Sequence, residues 1–232
     1  MREPIVAIDG IAASGKSTTA QRVARHFHYR YIDTGAMYRA VTLKVLQTGI
    51  DPSDGDALAR LVAAVQISLE QENGRARVYL DGVDVTQDIR SSEVTKHVSA
   101  VSEVEQVREA LVAMQREMGK GGGVVVEGRD IGTVVFPEAE VKIFMVANSH
   151  ERAKRRTSEM RKMDDQADLT EVEKAIVKRD DWDSSRAHSP LKKAADALLV
   201  DTTDLTIDEQ VNVVIERIIH YLETNARQGS VR

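Results

Sequence analysis

Residues 5–17 read Ile-Val-Ala-Ile-Asp-Gly-Ile-Ala-Ala-Ser-Gly-Lys-Ser, and the fold is decided by what they form. Ile5 to Ile8 is an apolar run as long as a short buried parallel strand. Gly10, Gly15, Lys16 and Ser17 then satisfy G-x-x-x-x-G-K-[ST], the spacing of a phosphate-binding loop. Glycine lets the backbone turn its N–H groups inward around a phosphate. Lys16 reaches β- and γ-phosphates as a point charge, and Ser17 offers its hydroxyl to Mg²⁺. A helix should follow, because Ala20, Val23, Ala24 and Phe27 fall at i, i+3, i+4 and i+7. Strand, loop and helix therefore come in the order the motif requires. The middle of the loop, Ile11-Ala12-Ala13, lacks the extra glycine many such loops carry. That restricts the backbone without breaking a required position.

Composition narrows the class. The chain has 232 residues, 42% hydrophobic and 30% charged, enough for one sizeable core. A net charge of −5 argues against a general nucleic-acid or membrane-surface binder, which needs a basic face. The chain has no cysteine, so disulfides, thiolate metal sites and a cysteine nucleophile are excluded. That fits a reducing cytosol. No apolar stretch has the length of a signal peptide core or of the roughly 20 residues of a membrane span. His26, His28, His97, His150, His188 and His220 follow no metal-ligand spacing.

Along the chain, Tyr29 to Ile32 is a strand candidate running into Asp33-Thr34-Gly35-Ala36-Met37-Tyr38-Arg39. A helix should then reach about Gln47 and stop at Gly49. Asp33, Thr34 and Arg39 fall near a strand's C-terminal end, where α/β sheets bind ligands. The same residues would also serve as a capped helix with a surface arginine. Ser53 or Asp54 caps a short helix to about Val65. Gln66–Gln71 and Arg75–Leu80 flank Asn73-Gly74, a type I′ hairpin signal, and Val83–Val85 adds a short strand. An antiparallel patch does not belong inside a βαβ core, so it should be an insert. Ser92 opens a helix, and Ser102-x-x-Glu105 has the form of a capping box that starts another. Val104, Val107, Leu111, Met114 and Met118 are its expected buried face, with Ser99 and Arg108 flanking the break.

Gly119 to Gly123 is a flexible connection leading to a buried strand at Val124–Val126. That strand ends in Glu127-Gly128-Arg129-Asp130. A carboxylate at the end of a second core strand is where such enzymes hold a Mg²⁺-bound water, which makes Glu127 the candidate. A solvated turn residue is the alternative. Val141–Val146 is another strand. The basic run Arg152, Lys154, Arg155, Arg156, Arg161, Lys162 is either a solvated helix face or a lid whose arginines neutralise a transferring phosphoryl group. Asp164-Asp165-Gln166 suits the lid turn. Thr170-x-x-Glu173 has capping-box form, and Arg179, Asp183 and Arg186 share one face if that helix persists. A surface ion pair is their plainer explanation. Ala197–Val200 is a last strand. Thr206-x-x-Glu209 caps a final helix packing through Val211, Val214, Ile215, Ile218 and Leu222, with a frayed tail expected from Asn225.

These parts make a parallel-sheet α/β fold. There is no N-K-x-D guanine motif and no D-x-x-G switch after a second strand. Arginines at 39, 108, 129, 179 and 186 suit a second anion.

At this point the sequence resembles the bacterial cytidylate kinases, the (d)CMP kinase family among nucleoside monophosphate kinases. The carriers are Ile8-Asp9-Gly10 with Gly15-Lys16-Ser17-Thr18, then 33–39, then 127–137, then Lys178-Arg179-Asp180-Asp181 through Arg186. The resemblance covers nearly the whole chain. It implies one P-loop kinase domain over 1–232, with core segments 1–50, 95–148 and 170–225. An NMP-binding insert would occupy 51–94 and a helical lid 149–169. It implies ATP at Gly10, Ile11, Ala12, Ala13, Ser14, Gly15, Lys16, Ser17 and Thr18, with Mg²⁺ on Ser17 and, through water, on Glu127. Thr34, Ser99, Arg108 and Asp130 fall where the family reads cytosine. Arg39, Arg129 and Arg186 fall at the CMP phosphate, and Asp183 with Arg179 at the ribose hydroxyls. Lys16, Arg129, Arg186 and the lid residue Arg155 are the expected catalytic charges. Thr34 stands where some relatives have Ser, and Glu127 where some have Asp.

The implied reaction is ATP + CMP → ADP + CDP, or the same with dCMP. The acceptor is already an anion, so alignment and charge neutralisation suffice and no strong general base is needed. The expected partners are ATP and CMP or dCMP, with no nucleic acid or membrane, in a cytoplasmic monomer. Two alternatives stay open: a kinase for UMP, AMP or shikimate, and a nucleotide sensor that binds ATP without turnover.

Overall fold

A computed structural model describes residues 2–72, 75–161 and 166–229. The Asn73-Gly74 turn and the Lys162, Asp164 and Asp165 positions of the expected lid lie outside the described residues. The chain falls into two units, Met1–Arg30 with Gly122–Arg232, and Tyr31–Gly121.

In the first unit, β1 (Ile5–Gly10) is followed by α1 (Lys16–Phe27). The other strands are β6 (Val124–Gly128), β7 (Val141–Val146) and β8 (Leu198–Asp201), in the order β6-β1-β7-β8. The chain leaves this unit at the start of β2 (Arg30–Asp33). The pairings of β1 with β6, of β1 with β7 and of β7 with β8 are all parallel. Strands covered on both faces need continuous apolar sequence. Val6, Ala7, Ile8, Val124, Val125 and Val126 accordingly have no exposed surface. Each buried valine or isoleucine contributes about 1.5–3 kcal/mol.

Helix α1 packs its Ala20, Val23 and Ala24 face inward and lies against α8 (Ile207–Gly229). The box predicted at Thr206 forms on α8: Glu209 accepts from Thr206 N at 2.8 Å, and Thr206 Oγ1 accepts from Glu209 N at 3.3 Å. The expected fraying from Asn225 is not observed, because α8 continues to Gly229, with Asn225 Nδ2 donating to Tyr221 O at 2.9 Å. Helix α6 (Ser149–Arg161) pairs with α7 (Leu169–Ser185) around Ala153, Ala167, Val172 and Ile176. The cap of α7 is Asp168, which accepts from Glu171 N at 2.9 Å, and not the Thr170 box. Asp168 stands one residue before the helix, whereas Thr170 already lies in its first turn.

The second unit holds α2 (Thr34–Thr48), α3 (Gly55–Ala64), α4 (Ser92–Glu103) and α5 (Glu105–Gly119). Its antiparallel sheet is β3 (Ile67–Glu72), β4 (Arg75–Leu80) and β5 (Val83–Asp84), in that order. Gly49 ends α2 in the left-handed conformation, as predicted, and Asp33 caps its start, one of the two readings left open for that stretch. Asp54 is the residue that caps α3. The box expected at Ser102 does not form: Ser102 lies inside α4 and its hydroxyl donates to Ser99 O at 2.9 Å. Helix α5 buries Val107 and Leu111, whereas Met114 and Met118 are half-buried and Gln115 is fully buried.

The exit from β1 is sterically tight. Gly10 has φ +148, and a Cβ there would lie 2.0 Å from Met145 O on β7. Gly10→Ala should therefore lower stability by about 1–3 kcal/mol or more, the range for overpacking a well-filled interior. Urea unfolding of the two proteins checks this, and equal midpoints would mean that the strand can yield.

Candidate functional site

The phosphate-binding loop is built from its own backbone. Ile11 O accepts both Lys16 Nζ at 2.6 Å and Ser14 Oγ at 3.0 Å. Gly15 adopts φ +93 at the amino end of α1, where no side chain caps the helix. Those first-turn N–H groups and the positive end of the helix dipole together favour an anion. A Cβ on Gly15 would meet Gln210 Oε1 at 2.5 Å, so glycine is needed for contact as well as for conformation.

Four residues from distant elements support this loop. Gln210 of α8 is fully buried and is held by its Nε2 donating to Leu205 O at 3.0 Å. Thr202, after β8, donates from Oγ1 to Ser14 O at 2.9 Å. Asp180 of α7 accepts from Ala12 N at 3.1 Å. Arg152 of α6 donates to Ala12 O at 3.1 Å and to Asp180. No linear pattern ties these residues to the loop, since each lies more than 130 positions from it. In the sequence, Arg152 stood only in the basic run and Asp180 only in a resemblance motif.

The parallel register sets Ile8 of β1 opposite Glu127 of β6. Ser17 Oγ donates to Glu127 Oε2 at 2.9 Å, so the two predicted metal-site residues meet. A hydroxyl and a carboxylate are hard oxygen donors, and Mg²⁺ keeps several waters while taking one or two protein ligands beside phosphates. The pair therefore fits Mg²⁺. Groups of three or more His, Asp or Glu able to cage a metal are absent among the described residues.

Charge is concentrated around the loop. Asp9 of β1 accepts Ile131 N at 2.8 Å and Gly132 N at 2.7 Å on its two oxygens. Burial raises its pKa to about 6, with the two N–H groups opposing. Burial pushes Lys16 down to about 7, helped by Arg129 and Arg179 and opposed by Glu127 and Asp9. Asp183 sits buried between two arginines: Arg129 Nε donates to Oδ2 at 2.9 Å, and Arg186 Nη2 lies 3.1 Å from Oδ1. Burial would raise the Asp183 carboxyl, but Arg129, Arg186 and Arg179 together hold it below the usual carboxylate range. Of the face predicted for Arg179, Asp183 and Arg186, the first two lie on α7, whereas Arg186 is the cap after it and not part of the helix. Asp130 is buried at the head of a single π-helical turn, Ile131–Val135, and its carbonyl accepts Val134 N at 2.8 Å.

The basic run of α6 is not a uniformly solvated face. Arg152 is buried, and Arg155 donates to Thr202 Oγ1 at 3.1 Å and Thr202 O at 2.6 Å. Lys154 and Arg156 make only short-range ion pairs with Glu151 and Glu159.

The remaining predicted residues lie in the second unit. Thr34 is buried at the start of α2. Arg39 donates to Thr95 Oγ1 at 2.9 Å. Ser99 is half-buried near the end of α4. Arg108 of α5 is buried, donates to Ser102 O at 3.1 Å and lies 5.4 Å over the Tyr38 ring. That placement is favourable for a guanidinium, since the ring face is its negative pole.

A parallel sheet with a loop at the end of its central strand, a hydroxyl–carboxylate pair and clustered arginines defines a phosphate-binding-loop kinase. Two solved structures share the fold. One is a gluconokinase from Sinorhizobium meliloti, 13% identical, with a TM-score of 0.51, covering 98% of this chain and 99% of its own. The other is an uncharacterized protein from Eubacterium ventriosum, 14% identical, with a TM-score of 0.50, covering 93% and 98%. The chain belongs to the cytidylate kinase family, whose model matches residues 6–223. The cytidylate kinase of Limosilactobacillus reuteri is 51% identical over 90% of this chain and 92% of its own. That of Pelotomaculum thermopropionicum is 47% identical over 93% and 96%. No helix of the described residues is long and apolar enough to cross a membrane.

The lysine carries a measurable signature. Its pKa is near 10.5 in an unfolded chain and about 7 in the fold. Between those values the unfolded chain binds the extra proton, so stability rises with pH across that window. Lys16→Met should flatten the rise. Urea midpoints across the window check it, and identical slopes for the two proteins would mean that Lys16 stays charged.

Proposed function

We propose that this chain transfers the terminal phosphoryl group of ATP to CMP or dCMP, giving ADP with CDP or dCDP. The observation that carries this is geometric: the loop lysine and the Ser17–Glu127 pair stand at the end of β1, and Arg129 and Arg186 are gathered on the buried Asp183. Burial first, then the charges of Arg129 and Arg179, disfavour the charged lysine, and phosphate oxygens would offset that. A loop built for one phosphate and arginines placed for a second are what transfer between two anions requires.

Residues 10–18 take the ATP phosphates in this proposal, with Lys16 on the β- and γ-oxygens. Ser17 and, through water, Glu127 hold the Mg²⁺ that accompanies ATP. When bound, that ion neutralises charge on the phosphates. Arg129, Arg186 and Arg39 bind the CMP phosphate. Thr34, Ser99, Arg108 and Asp130 read the cytosine, whose amino and carbonyl groups need both acceptors and donors. Asp183, supported by Arg179, accepts from the ribose hydroxyls. Arg155 is the lid arginine, and it must exchange Thr202 for phosphate oxygens. Segment 149–169 is the proposed lid and 51–94 the proposed NMP-binding insert. The site of action is the cytoplasm, where ATP and CMP are solutes, and the working form is a monomer, since one chain supplies every named residue.

Two experiments decide between this and its neighbours. ADP release with ATP and Mg²⁺ should be strong with CMP and dCMP and weak with UMP, AMP, GMP and shikimate. A different preferred acceptor would keep the kinase and overturn the cytosine assignment, and ATP binding without acceptor-dependent release would indicate a sensor. Asp183→Ala should raise the KM for CMP more than that for dCMP, which lacks the 2′-hydroxyl. A hydrogen bond to a charged group is worth about 1.5–3 kcal/mol, so the ratio of the two KM values should shift roughly tenfold or more. Removing the carboxylate also leaves Arg129 and Arg186 facing one another, so the ratio is the informative quantity. Equal losses with both acceptors would overturn the ribose role.

A further inference from the structure

The loop contains a conformation that its residues do not favour. Ala13 sits at φ +56, the left-handed region that glycine enters freely and alanine resists. Both polar groups of the preceding residue are held from outside the loop. Ala12 N donates to Asp180 Oδ1 at 3.1 Å, and Ala12 O accepts from Arg152 Nη1 at 3.1 Å. Arg152 and Asp180 are bonded to each other, which closes a three-membered brace. Neither charge is well solvated: the Arg152 side chain is 6% exposed and that of Asp180 15%. Arg152 is further fixed by its Nε donating to Ala147 O at 2.9 Å, just after β7. The pair is anchored to the helices α6 and α7, not to the strand and helix that carry the loop.

We propose that Asp180 is a positioning residue for the donor phosphates. Through Arg152 and the Ala12 peptide, it imposes on the loop the turn that a glycine at position 13 would adopt unaided. A buried, hydrogen-bonded ion pair fixes direction well, because each partner loses heavily if it is left alone. Asp180 touches no phosphate in this arrangement. It acts on the loop, and its influence falls on the nucleotide held there. The brace also makes the loop's shape depend on where α6 and α7 sit. This inference rests on the assignment of residues 10–18 to ATP.

ATP affinity of the full chain, measured by calorimetry, tests it, together with KM values for both substrates. Asp180→Ala should weaken ATP about five- to thirtyfold, the equivalent of the preference of alanine against the left-handed region, with the KM for CMP little changed. Asp180→Asn keeps an acceptor for Ala12 N and should fall between. Adding Ala13→Gly to Asp180→Ala should recover most of the lost affinity, because glycine needs no brace. A general loss of structure would not be repaired by that second change. An Asp180→Ala protein that binds ATP normally, or whose defect Ala13→Gly leaves untouched, overturns the brace alone. Failure of the unaltered chain to bind ATP overturns the donor-site assignment and the brace with it. If Asp180→Ala does not fold, Asp180→Asn with and without Ala13→Gly gives the same comparison, read by the same two outcomes.

Discussion

The two parallel ladders that flank β1 are the constraint on which the site depends. Pairing with β6 on one side and β7 on the other fixes both the position and the direction in which the chain leaves the sheet. The same register sets Gly10 beside Met145, which makes glycine obligatory, and Ile8 beside Glu127, which brings that carboxylate within reach of Ser17. Asp9, between these two residues, is turned to clamp the N–H groups of Ile131 and Gly132. One strand therefore orients the phosphate loop, the hydroxyl–carboxylate pair and the turn that follows Arg129 and Asp130.

Around that frame the charges are arranged for a ligand and not for stability alone. A buried lysine with two arginines nearby is disfavoured in the absence of anions, and its depressed pKa records that cost. Asp183 shows the opposite case, a carboxylate whose burial is outweighed by three cations. The two environments belong to one cluster: cations that stabilise Asp183 also destabilise the charged form of Lys16. Phosphate oxygens would satisfy that cluster without any proton transfer. This is why the chain needs neither a tuned histidine nor a pair of catalytic carboxylates.

The strand, loop and helix of residues 5–27 were legible because spacing and periodicity are local. The ends of α2 and α8's capping box were legible for the same reason. Misreadings came where two local signals competed. Thr170 and Ser102 both have capping-box spacing, yet Asp168 takes one helix start and a continuous α4 absorbs the other. The residues supporting the loop left no such signal. Gln210, Thr202, Arg152 and Asp180 reach it through side chains from distant helices and strands, and separation in sequence erases any spacing rule.

By itself, the sequence determined the α/β class and the phosphate loop. Those follow from which residues can turn, bond or carry charge over a few positions. Tertiary structure alone decided what each of several arginines touches. Arg152 and Arg155 belong to one basic run, yet one is buried in a brace on Ala12 and the other is held by Thr202. It also decided that an alanine occupies a glycine's conformation at position 13, because an ion pair from two other helices holds the neighbouring peptide in place. Burial, and the company that burial enforces, is a property of the packed chain and is set by residues far apart in sequence.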